Sequence, residues 1–212
     1  MTTLAVMLAR IADELARDDL TTNIRYAVSD AIAAYSDERF FFNESRAITF
    51  STVTDQEFYD SNDAADLARL TKIDYIVYYQ DNQPYELKPM RPVDMEYAST
   101  SATSTGSPSW YCYYNQQLRF YPVPDQAYTV RVAAAVTVAE PASDAEASNP
   151  WMTHAERLIR SRAKTELALH VLKDMDLATT MSEAVTEAYE QLKERTNQIT
   201  MLGEGRIRAM AF

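Results

Sequence analysis

Apolar positions along the chain change period twice. Between Leu4 and Tyr35 they recur at steps of three and four, first as Leu4, Leu8, Ile11 and Leu15, then as Ile24, Val28, Ile32 and Tyr35. Side chains three and four apart share a helical face, so this stretch predicts two short amphipathic helices. Asp18 to Thr21 would join them as a hairpin, with Thr22 as the cap of the second. From Ile48 to Val138 the period falls to two. Ile48, Phe50 and Thr52 alternate with polar neighbours, Ile73 to Tyr79 is β-branched and aromatic, and Trp110, Cys112 and Tyr114 face Leu118 and Phe120 across Asn115-Gln116-Gln117. The last strand is the clearest. Tyr128, Val130, Val132, Ala134, Val136 and Val138 share one face, and Thr129, Arg131, Ala133, Ala135 and Thr137 share the other. Short helices are expected at Asp63 to Leu70 and Pro92 to Tyr97, and a surface loop of Ser, Thr, Gly and Pro at Ser99 to Ser109.

Beyond the acidic linker Glu140 to Asn149 the helical period returns. Pro150 suits a helix N-terminus, and from Trp151 onward Ala155, Ile159, Ala163, Leu167 and Val171 form a ridge at steps of four. Thr180 and Glu183 have the spacing of a capping box for a last helix. Along it Val185, Ala188, Leu192, Arg195, Ile199 and Leu202 approach a heptad seam, whose partner is either this chain's own helices or a neighbouring subunit. The expected fold is therefore α+β, with N- and C-terminal helices forming a helical bundle portion (1–45 and 140–202) and a mostly antiparallel β-rich insert between them (46–139). Gly203 and Gly205 read as a helix stop opening a flexible tail, 203–212.

Composition narrows the function classes. The chain has 212 residues, 47% of them hydrophobic and 24% charged, which suffices for a core without disulfide staples. Its lone cysteine, the absence of an apolar run near the roughly 18 residues that span a bilayer, and the lack of a basic n-region at the start lead us to expect a cytoplasmic product with no membrane segment. A net charge of −11 argues against ordinary duplex binding, which needs clustered Lys and Arg. The same charge suits a wall to which DNA does not stick. Only three glycines occur, none before Gly106, so glycine-rich phosphate loops of the Walker and Rossmann types are excluded.

Candidate chemistry is sparse. Cys112, His154 and His170 are the only Cys and His residues, too few for a structural metal cage, and Cys112 among tyrosines in a strand reads as a small buried hydrophobe. No catalytic, cofactor-binding or metal-binding residue is assigned. Glu166 and His170, four apart, read as a hydrogen-bonded pair at a packing interface. Carboxylate pairs such as Asp94 and Glu96 are inevitable among 31 acidic residues. The fourteen tyrosines lack the companion cations of a single-strand binder and suit core and protein contact. Arg157, Arg160 and Lys164 make a stripe that reads either as a solvated face or as a contact surface toward a neighbouring subunit, another protein or DNA. With Val185, Leu192 and Ile199 of the seam, they are the candidate interface residues.

Several runs, taken together, carry a resemblance. Asp30 to Tyr35, Arg39 to Glu44, Phe50 to Val53 and Gln56 to Tyr59, followed by Leu118 to Asp125, Tyr128, Asn149-Pro150-Trp151 and Leu158 to Lys164, resemble in order and spacing the head-to-tail adaptor (connector) proteins of tailed bacteriophages. Gly203 to Phe212 departs from that pattern. The resemblance implies a virion structural protein with no enzymatic activity, made in the host bacterial cytoplasm and placed at the virion neck. Its helical portion would form a ring of about twelve copies under the portal protein. The β-rich insert would project toward tail or nozzle proteins, and double-stranded DNA would pass non-specifically through the channel. The alternative reading is a tail accessory domain that binds or cleaves carbohydrate through the Tyr-rich sheet and a carboxylate pair.

Overall fold

The structure, a computed structural model, describes residues 2–99 and 104–203, with side chains described through residue 200. The α+β class holds: helices at both ends of the chain enclose, in sequence, a large and mostly antiparallel sheet. The chain divides into a helical unit, Met1–Asn43 with Val138–Phe212, and a β unit, Glu44–Thr137. Of the expected tail, 203–212, Gly203 is helical and residues from 204 on lie outside the described residues.

In the helical unit, α1 (Leu4–Leu15) starts where the Thr3 hydroxyl accepts from the Val6 amide at 3.3 Å. It buries Leu4, Met7, Leu8 and Ile11, the stripe that its period predicts. It stops at Ala16, whose left-handed backbone (φ 51°) lets the next amides fold back onto Ala12 and Asp13. A 3-10 turn, Asp18–Leu20, then runs straight into α2 (Thr21–Ala34). Thr22 is not the cap: the chain enters α2 from a turn rather than an extended residue, and no side chain caps that end. Residues 35–43 close on themselves, with Asn43 accepting from the Phe40 amide (2.9 Å) and donating to the Glu38 carbonyl (2.8 Å).

The second helical stretch begins as its residues suggest. Asn149 accepts from the Trp151 amide at 3.0 Å, Pro150 occupies the first turn of α4 (Pro150–His154), and the Trp151 indole donates to the Val138 carbonyl at 3.0 Å. Trp151 is fully buried, edge-on to Phe40 and Phe42. The long helix expected from Trp151 is interrupted. It breaks between α4 and α5 (Glu156–Glu166), widens into a π-helical turn over Leu167–Leu172, and stops at left-handed Lys173. The predicted ridge survives these breaks as far as Leu167, with Ala155, Ile159, Ala163 and Leu167 buried and Val171 partly buried against the same core. Next, α6 runs from Met175 to Gly203, about 43 Å at 1.5 Å per residue. Asp174, accepting from the Leu177 amide at 3.0 Å, caps it. Thr180 lies inside the helix, donating to the Asp176 carbonyl, so the expected capping box does not form; Gly203 is the last residue of α6 among those described. Within the unit α5 is central, packing against both α2 and α6.

The β unit holds β1 (Glu44–Ser51), β2 (Phe58–Tyr59), β3 (Leu70–Gln80), β4 (Gln83–Pro89), β5 (Thr105–Gly106), β6 (Trp110–Tyr114), β7 (Gln117–Tyr121), β8 (Val123–Pro124) and β9 (Thr129–Val136). Seven of these form a sheet in the order β1-β9-β3-β4-β6-β7-β2, antiparallel except between β4 and β6, whose crossover carries α3 (Pro92–Ser99). The strands β5 and β8 pair in parallel apart from it. The two tight hairpins turn on Asp81-Asn82 and Asn115-Gln116, both residues of each pair at positive φ as a two-residue turn demands. Strand β9 lies between β1 and β3, buried along its core face and, on the other face, exposed at Thr129 and Arg131 but buried at Ala133 and Ala135. Val130, Val132, Ala134 and Val136 enter the core, while Ala133 and Ala135 are recessed between longer cross-strand neighbours, Tyr75 and Lys72. Phe50, Tyr59 and Phe120 stack at the centre of this core.

Candidate functional site

The cationic stripe of α5 meets acidic groups of its own unit. Arg160 and Lys164 converge on Glu14 of α1, with Lys164 at 2.7 Å, and Arg160 also lies 3.3 Å from Glu156. Arg157 turns to α6 instead, donating to Glu187 and Gln191, each at 2.9 Å. The three residues therefore tie the central helix to two neighbours and only in part form a common face.

The seam of α6 turns from core to surface along its length. Val185, Ala188 and Leu192 are buried in the core of their own unit, and Thr196 is buried below them with its hydroxyl on the Leu192 carbonyl. Arg195 is exposed and lies over the Phe41 ring at 4.6 Å, while Ile199 is 40% exposed. Leu202 lies beyond the described side chains. Beside this turning point is a groove of about 210 Å³ with Ala155, Leu158, Ala188 and Leu192 as its floor and His154, Arg157, Gln191 and Arg195 as its rim. Partial burial, and then the charge of Arg195, hold His154 below the usual histidine range. A second groove, about 410 Å³, lies between the end of α5 and the start of α6, with Leu169 and Met175 exposed along it.

Lys193 of α6 reaches the Glu38 carboxylate at 2.5 Å and the Arg39 carbonyl at 3.1 Å, above the Phe40 ring. The hydrogen bond from Lys193 holds the Glu38 carboxyl below its ordinary value.

One site escaped the sequence reading. Arg119 of β7 is 7% exposed, on the face of its strand opposite Leu118 and Phe120. Its guanidinium binds Glu57 and Glu96, both at 2.5 Å, and Ser99 at 3.0 Å, and lies 5.2 Å over the Phe58 ring. Burial pulls this guanidinium toward deprotonation, but Glu57 and Glu96 outweigh it, so the proton is held more tightly than usual. Phe58, Tyr114 and Arg119 line a cleft of about 180 Å³ with Cys112 beside them. Of the two carboxylates paired with Arg119, Glu96 lines this cleft.

The remaining candidates are plain in their placement. His170 lies 3.3 Å from Glu166 on an exposed side, not in the packing interface expected, and Glu166 also binds Arg162 at 2.6 Å. Cys112 is buried, which pushes its thiol up. Among the described residues no group of three or more His, Cys, Asp or Glu side chains is placed to hold a metal ion, and no helix is long and apolar enough to cross a membrane.

Residues 2–209 match the family model described as SU10 adaptor protein, a span that takes in both units. No curated protein matches the chain.

Proposed function

Since the chain belongs to the SU10 adaptor protein family of phage head-to-tail adaptors, we propose that it works as a ring between portal and tail at the virion neck. The observation that carries this reading is the extent of the family match, nearly the whole chain. About twelve copies would stand side by side through their helical units, identical heterologous contacts closing the ring. The β unit would meet tail or nozzle proteins, and double-stranded DNA would slide through the channel without adhering, an outcome that a charge of −11 per copy favours. The work is geometric rather than catalytic.

Within such a ring the interface candidates divide by accessibility. Arg157 and Ile199 are open for direct contact. Arg160 and Lys164 fix α1 against α5, and Val185 and Leu192 seat α6, so these four act by positioning the surface. Mixing the purified protein with the portal protein of its phage and imaging the product tests the proposal. An axial ring on the portal is expected; portals that stay bare under every condition overturn it.

A further inference from the structure

Resting on the ring reading, we propose that the groove between α4–α5 and α6 is one half of the subunit contact, and that it receives the exposed Tyr26, Asp30 and Ala33 face of α2 from a second copy. The groove is prepared for a carboxylate. Arg195 has no carboxylate partner among the described residues, and its guanidinium lies 4.6 Å over the Phe41 ring at the rim. Five donors on a fixed fork, left without an acceptor, favour a carboxylate from outside. His154 stands on the same rim and already answers to the Arg195 charge. Below the rim, the alanines and leucines offer an apolar floor of the kind that receives an aromatic ring.

The face of α2 is complementary. Tyr26 is 64% exposed on an otherwise ordered helix, and Asp30 and Ala33 follow at steps of four and three on the same stripe. Asp30 is exposed and makes no ion pair among the described residues. The stripe thus presents one amphipathic ring, one free carboxylate and one small residue that permits close approach, the aromatic-centred composition of a subunit contact. Groove and stripe lie on different helices, so one copy's groove meets the next copy's stripe. Such a contact propagates in one direction and closes only as a ring.

Charge reversal tests it. Arg195→Glu and Asp30→Lys should each weaken ring formation at least about tenfold, read by sedimentation of the protein alone and by imaging on the portal, with melting of the single chain unchanged because both side chains are exposed. The double variant R195E/D30K, which restores the pair in reverse, should recover rings. Wild-type rings with undiminished rings in both single variants overturn this contact and leave the ring reading standing. Loss in the singles without recovery in the double also overturns it and assigns the groove to an acidic partner other than Asp30. Wild-type protein that forms no ring, alone or on the portal, overturns both.

Discussion

The two units spend their charged residues differently. In the helical unit ion pairs link separate segments of the chain: Arg157 to Glu187 and Arg25 to Asp144 at the surface, Glu38 to Lys193 and Glu14 to Arg160 and Lys164 partly buried. In the β unit the main charge sits within the fold, where Arg119 gathers two carboxylates and a hydroxyl. A surface pair contributes about 0–1 kcal/mol, so partners on the helices can be exchanged at little cost. Stripping a buried ion of its partners costs about 3–5 kcal/mol. The helical surface is thus suited to contacts made and remade during assembly, and the β unit to holding one shape.

The widest split between the units should come from Trp151→Ala, which empties a fully buried site that also donates to the Val138 carbonyl. A loss of about 3–5 kcal/mol is expected in the helical unit, and amide exchange that stays slow across β3 and β9 would show that the β unit folds on its own. Arg119→Ala is the mirror experiment. It should cost the β unit about 3 kcal/mol by leaving Glu57 poorly compensated, whereas Arg157→Ala should cost the helical unit under about 1 kcal/mol; equal effects in urea unfolding would erase the contrast. Gln116→Gly should stabilise the β unit by up to about 1 kcal/mol, because Gln116 is held at φ 61°, where glycine is free of strain; an unchanged urea midpoint would count against that account.

The smallest effect is acidity. His154 is held below its ordinary pKa, so the unfolded chain takes up the proton first, and the contribution of the neutral ring is complete above about pH 6.5 and fades as pH falls through the lowered value. His154 belongs to the helical unit, so melting there should soften by a few tenths of a kcal/mol from pH 7 to 5.5. His154→Gln should flatten that slope.

Much of this fold was legible because its signals are local. The stripe of α1, the Asn149-Pro150 helix start and the alternation of β9 each rest on residues within a few positions of one another. Arg119 was not legible. Alternation with Leu118 and Phe120 puts it on the outer face of β7, and it is buried only because Glu57 before β2 and Glu96 of α3 come over that face from distant parts of the chain. The cap of α6 failed for a different reason. Thr180 and Glu183 match a capping box, yet Asp174, three residues before Leu177, competes for the same role and starts the helix earlier. Nor does the spacing of the α6 seam tell own core from neighbour. The structure gives Val185 and Leu192 to the core and leaves Arg195 and Ile199 outside it.

The turns carry a last consequence. The two tight hairpins use Asp81-Asn82 and Asn115-Gln116 where glycine would relieve the left-handed backbone, and no asparagine in the chain precedes a glycine. Asparagine deamidates when the following backbone nitrogen attacks its side-chain amide, and glycine, the least hindered follower, makes that attack easiest. The conformational strain accepted in each turn therefore slows chemical ageing, which matters in a particle that leaves its host and can replace none of its parts.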